Sequence, residues 1–143
     1  MSRSKYHTAQ SFPVALVLMI VVCGELAATG VRGIEDASYI EFMEQFLLEI
    51  DFVLKNTCRN EPGRAVKIMK LLEIWTDGDG VASIPILKVV TWNILGNLYR
   101  RLNNLKKAYT CLAKAAKTLP KVGNRKAGLT YLNMCMVYSK TSK

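Results

Sequence analysis

Apolar residues recur at steps of three and four along most of this chain, the spacing that aligns side chains on one stripe of a helix. From about Asp36 to Lys55 the stripe is Tyr39, Ile40, Met43, Phe46, Leu47, Ile50, Val53 and Leu54, and it predicts a first helix. The run NTCRNEPG breaks the pattern, because Asn favours turns and Pro62 and Gly63 do not continue a helix. A second helix is predicted from about Arg64 to Thr76, with Ala65, Ile68, Met69, Leu72 and Trp75 inward. The turn DGDG at 77–80 ends it, and Ser83 with Pro85 form a cap and first turn for a third helix from about Ile84 to Leu102. Asn103 and Asn104 can adopt the left-handed conformation that a tight connection needs. The fourth helix, closed by Pro120, turns Leu105, Ala108, Cys111, Leu112, Ala115, Ala116 and Leu119 inward and Lys106, Lys107, Lys114 and Lys117 outward. After KVGN, a last helix from about Arg125 to Lys140 is expected to bury Leu129, Leu132 and Met136. No segment alternates as a strand does, so the predicted class is all-α, with short connections that make neighbouring helices antiparallel.

The most regular stretch is TWNILGNLYRRLNNLKKAYTCLAKAAKTLP, Thr91 to Pro120. Trp92, Leu95, Gly96, Tyr99, Ala108, Ala115 and Pro120 stand at the spacing W-x2-L-G-x2-Y, A-x3-F-x2-A, P, with Leu112 in place of the Phe. Small residues at 96 and 108 let two helix backbones approach, while Trp92, Leu95 and Tyr99 fill the space on either side. This stretch resembles the tetratricopeptide repeat, a helix-turn-helix unit that stacks into an α-solenoid. Two echoes flank it. Tyr131, Met134, Cys135 and Tyr138 repeat the spacing of Trp92, Leu95, Gly96 and Tyr99 at a displacement of 39, and Ala65, Met69 and Leu72 repeat Ala108, Leu112 and Ala115 at 43. The resemblance therefore implies a short repeat array over residues 34–143 whose last unit is incomplete.

In repeats of this kind the first helices line a concave groove. The resemblance implies Asn93, Asn97, Arg100 and Arg101 as partner-binding residues: amides hold a peptide backbone and guanidinium forks take carboxylates. A three-repeat carboxylate clamp is not expected, since Asn93 stands where a Lys would begin it and the further repeats are missing. The plainer alternative is that these four are solvated polar residues. A solenoid also needs a final helix with a polar outer face, and the last helix here is apolar on several sides, which points to self-association or to a partner covering it.

Charge adds a partner class. All eleven acidic residues lie between Glu25 and Asp79, while twelve of the twenty Lys and Arg follow Gly80, so residues 1–79 carry a net −3 and residues 80–143 a net +12. A block without carboxylates attracts anionic surfaces such as acidic peptides, phosphorylated segments, nucleic acid or lipid headgroups. Nucleic acid is a third reading, disfavoured because single-strand binding needs exposed aromatics and only Tyr109 looks free of packing duty. The four cysteines, Cys23, Cys58, Cys111 and Cys135, have no metal-ligand spacing, and Cys111 and Cys135 are expected on buried faces as reduced thiols, which fits a cytoplasmic protein.

Residues 1–33 read separately. Phe12 to Gly24 is a run of thirteen uncharged, mostly apolar residues behind Arg3, Lys5 and His7, about 20 Å long as a helix and short against a bilayer core of about 30 Å. Extended to Ala28, it reads equally as a membrane anchor, a secretory signal or an apolar helix covering the domain's open end. A membrane-associated adaptor is therefore the runner-up. No catalytic constellation is present: the one histidine is in the leader, and Glu41, Glu44 and Glu49 read as a wet helix face. DGDG fails as a calcium loop because Val81 and Lys88 stand where oxygen ligands belong. Neither cofactor nor metal is implied.

Overall fold

The structure, a computed structural model, describes residues 37–78, 84–123 and 126–141. The apolar segment 12–28, His7, Cys23, the second half of DGDG and Ser83 lie outside the described residues. What is described is five helices packed antiparallel: α1 (Ala37–Asn60), α2 (Pro62–Asp77), α3 (Pro85–Arg101), α4 (Leu105–Thr118) and α5 (Ala127–Thr141), with a 3-10 turn at Leu119–Lys121. There is no strand among the described residues. Each helix packs on the next in sequence, and α3 also packs on α1 and α5.

The first break is narrower than the sequence pattern suggests. α1 runs on to Asn60, because Thr57 Oγ1 donates to Val53 O and the Glu61 amide donates to Thr57 O at 2.7 Å, and only Glu61 separates the two helices. Pro62 then sits in the first turn of α2, where its missing N–H costs nothing. At α3 the cap position is Ile84, one residue beyond Ser83, with Pro85 again in the first turn. Asn103 does adopt positive φ, at 61°, and Asn104 caps α4 by accepting from the Lys107 amide at 3.3 Å.

α3 is the central helix, buried on nearly every side from Leu87 to Tyr99, as a helix enclosed by four others must be. Its joint with α4 turns on Gly96. A Cβ placed there would lie 2.6 Å from Leu112 Cγ and 3.3 Å from Ala108 O, so the close approach depends on glycine. Ala108, Leu112 and Ala115 are fully buried, and so are Ala65, Met69 and Leu72 of α2. Trp92, Leu95 and Tyr99 are buried with them, and Pro120 is exposed in the 3-10 turn that follows α4.

Two expectations for α5 are corrected by the packing. α5 buries Thr130, Asn133 and Val137, whereas Leu129, Leu132 and Met136 are exposed, as are Tyr131, Tyr138 and Cys135. The face bearing Tyr131, Cys135 and Tyr138 corresponds in spacing to the α3 face that α4 covers; on α5 it stays exposed, touched at its end by Tyr109 of α4, whose ring lies 5.7 Å from that of Tyr138. Lys107 and Lys114 are not simply solvated. They reach back across α4 to α2, where Lys107 Nζ meets Glu73 Oε1 at 2.6 Å and Lys114 Nζ meets Asp77 Oδ2 at 3.2 Å. No helix among the described residues is long and apolar enough to cross a membrane.

Candidate functional site

Antiparallel order places α1, α3 and α5 in the same direction, and their contacts set α3 between the other two. A groove follows. Its floor is Val90, Asn93, Ile94 and Asn97 of α3; one wall is Glu44, Leu48, Asp51 and Lys55 of α1; the other is Lys126, just before α5, with Leu129 and Asn133 of α5. The cavity holds about 170 Å³. Glu44 pairs with Lys126 at 3.5 Å and Asp51 Oδ2 with Lys55 at 3.0 Å, while Asp51 Oδ1 is buried with no hydrogen-bond partner among the described residues; the apolar face offered to a ligand comes from Leu48, Ile94 and Leu129.

The four polar residues singled out by sequence are placed differently from one another. Asn93 is only 3% exposed. Its amide donates to Val89 O at 3.0 Å and to Thr130 Oγ1 at 2.8 Å, and its oxygen accepts from Asn133 Nδ2 at 3.3 Å. Both amide hydrogens are thus used inside the protein, and Asn93 joins α3 to α5 beneath the groove floor. As a direct contact for a partner it is corrected, since an amide satisfied within the core has no donor left to offer. Asn97 is half-buried and accepts from Arg100 Nη2 at 2.6 Å. Arg101 is exposed.

Arg100 and Arg101 open onto a second, larger cleft of about 410 Å³ at the C-terminal ends of the same three helices. Lys55, Cys58 and Arg59 of α1 and Lys140 of α5 complete its lining. Lys55 lines both the groove and this cleft, so the two adjoin. Burial, and then the neighbouring Arg101, lower the Arg100 pKa. Burial raises that of the Cys58 thiol, with Arg101 opposing. A thiol held protonated is no nucleophile.

Lys55, Arg59 and Lys140 were missed by sequence reasoning, as were Leu48 and Leu129. The signal was available in part: in an antiparallel bundle, basic residues near the C-terminal ends of the first, third and fifth helices must gather at one end. No group of three or more His, Cys, Asp or Glu able to hold a metal ion occurs among the described residues. Comparison of the chain with protein-family models, with curated proteins and with solved structures returned no match.

Proposed function

We propose that this protein is a non-catalytic interaction module that holds an acidic peptide segment of a partner protein in the groove over α3. The observation that carries this reading is an apolar trough, walled by Leu48 and Leu129, that adjoins at Lys55 a cleft lined by five basic side chains and no carboxylate. Apolar side chains of the peptide fill the trough and its acidic residues run toward Arg100 and Arg101, where charge complementarity fixes direction. The tetratricopeptide resemblance supports the same face. In a repeat array of that kind α1, α3 and α5 are the first helices of successive units, and they are the helices that line this groove. The uncovered apolar side of α5 fits an incomplete last unit.

Selection of a displayed random peptide library against the full chain tests the proposal. Enriched peptides should combine apolar and acidic residues, and their affinity should fall at least about tenfold in a Leu48→Asp, Leu129→Asp double variant and in an Arg100→Glu, Arg101→Glu double variant. Leu48 and Leu129 are about half exposed, at 49% and 51%, so the first pair should retain its helical content. Affinity should also weaken as salt rises, as exposed charge pairing requires. Selection that enriches no acidic peptide, or peptides indifferent to both double variants, removes this reading.

A further inference from the structure

The cleft at the helix ends holds more positive charge than its position explains. A cation near a helix C-terminus is stabilised by the carbonyl ends of the helix, and that accounts for single basic residues on α1, α3 and α5. It does not account for Lys55, Arg59, Arg100, Arg101 and Lys140 converging on one cleft, where like charges repel. Among the described residues only Lys55 of the five has an ion-pair partner. Arg100 is the most constrained: Asn97 holds one Nη, while its Nε is buried and has no hydrogen-bond partner among the described residues. A guanidinium fixed by one bond at the lining of this cleft is oriented there at little entropic cost, and its fork of N–H donors suits an acceptor that arrives from outside.

We propose that this cleft takes the phosphate of a phosphorylated serine or threonine in the peptide bound along the α1–α3–α5 groove, with Arg59, Arg100 and Arg101 donating to its oxygens. The inference rests on the groove reading above and adds what anchors the peptide. A single carboxylate would offset one of four unpaired cations and bring two oxygens. A phosphate monoester brings a charge of about −1.5 to −2 and three strong acceptor oxygens, which match converging guanidinium forks. The site is a concavity of about 410 Å³ that adjoins the trough at Lys55, so a peptide lying in the trough brings its next residues to the cleft, whereas a flat lipid surface fits a concavity poorly.

The test compares two fluorescein-labelled peptide libraries on the full chain, identical except for a fixed central phosphoserine or serine, with phosphatidylserine vesicles as a third probe. Arg59→Glu, Arg101→Glu is the diagnostic double variant, since both side chains are exposed and helical content should persist by circular dichroism. The phosphoserine library should bind at least about tenfold more tightly than the serine library, and the ratio should fall to about one in the variant. Equal binding of the two libraries leaves the groove reading intact and overturns the phosphate anchor. Failure of both libraries to bind overturns the groove reading and the anchor together. A phosphoserine preference that survives in the variant moves the site elsewhere and overturns this assignment. Variant-sensitive binding to vesicles without a phosphoserine preference overturns it in favour of a membrane surface.

Discussion

Gly96 and Asn93 sit three residues apart on α3, and they differ in how far the sequence could speak for them. A small residue between Leu95 and Tyr99, opposite Ala108, is what two closely crossing helices require, so Gly96 was legible as a packing glycine. Gly96→Ala gains about 1 kcal/mol in helix propensity but sets a Cβ 2.6 Å from Leu112, and overpacking of that kind costs about 1–3 kcal/mol. The clash involves Leu112 Cγ as well as Cδ2, which a rotamer change does not clear easily. A net loss of up to about 2 kcal/mol in urea unfolding is expected. Combining it with Leu112→Ala should cost less than the two single changes added, because the second removes the clash. A stabilised Gly96→Ala variant would contradict the packing described. Asn93 was not legible in the same way. An amide on a helix serves a ligand or a neighbour equally well, and only the arrival of Thr130 and Asn133 from α5 decides between them.

Between elements, the second and fourth helices are tied by side chains rather than by close packing. Glu73 accepts from Tyr99 Oη at 2.6 Å and from Lys107 Nζ at 2.6 Å, and Lys107 also lies 5.4 Å from the centre of the Tyr99 ring. Burial and then the Glu73 hydrogen bond raise the Tyr99 pKa, and the Glu73 hydrogen bond raises that of Lys107. Burial pushes the Cys111 thiol at the α3–α4 joint up to about 12 from an ordinary 9.0, and burial also raises Cys58. Each of these groups keeps its proton longer in the folded chain than in the unfolded one. Stability is therefore flat below the unfolded value and falls as pH rises toward the folded one. The thiols open the loss near pH 9, at about 1.4 kcal/mol per pH unit for each group then titrating only in the unfolded chain. Tyr99 and Lys107 steepen it above about pH 10. Urea unfolding at pH 8, 9 and 10 should show this onset, and Cys111→Ala should flatten the step from 9 to 10. An unchanged slope in that variant would show that Cys111 is not held protonated. The sequence placed Lys107 and Lys114 outward but not against α2, because the helical stripe records which side of α4 they leave from and not how far a lysine reaches. The shape of the first break escaped it for a related reason, since Pro62 starts a helix as readily as it ends one.

At the scale of the molecule, the acidic and basic halves of the chain meet through Lys107–Glu73, Lys114–Asp77 and Lys126–Glu44, while Arg59, Arg100, Arg101 and Lys140, outside those pairs, line one cleft. The same map shows where the fold is weakest. α5 buries Thr130, Asn133 and Val137, so it is held by polar bonds to Asn93 and little apolar area, whereas α3 is enclosed. Hydrogen exchange should therefore find α5 amides less protected than those of α3. Asn93→Ala should lower α5 protection further by about 1–3 kcal/mol, since it strips partners from buried Thr130 and Asn133. Equal protection of the two helices, or a uniform change across all five in the variant, would show that α5 does not open as a separate unit. By itself the sequence determined the helical class, the number of helices in the described region, the left-handed turn at Asn103 and the buried stripes of α2 and α4. Periodicity and turn chemistry are local, and each is written within a few residues. Only the tertiary structure decided that α5 uses its Thr130–Asn133 face, that Asn93 belongs to the core, and that Lys55, Arg59, Arg101 and Lys140 share one cleft. These are consequences of which helix stands beside which, and no single segment of the chain contains that information.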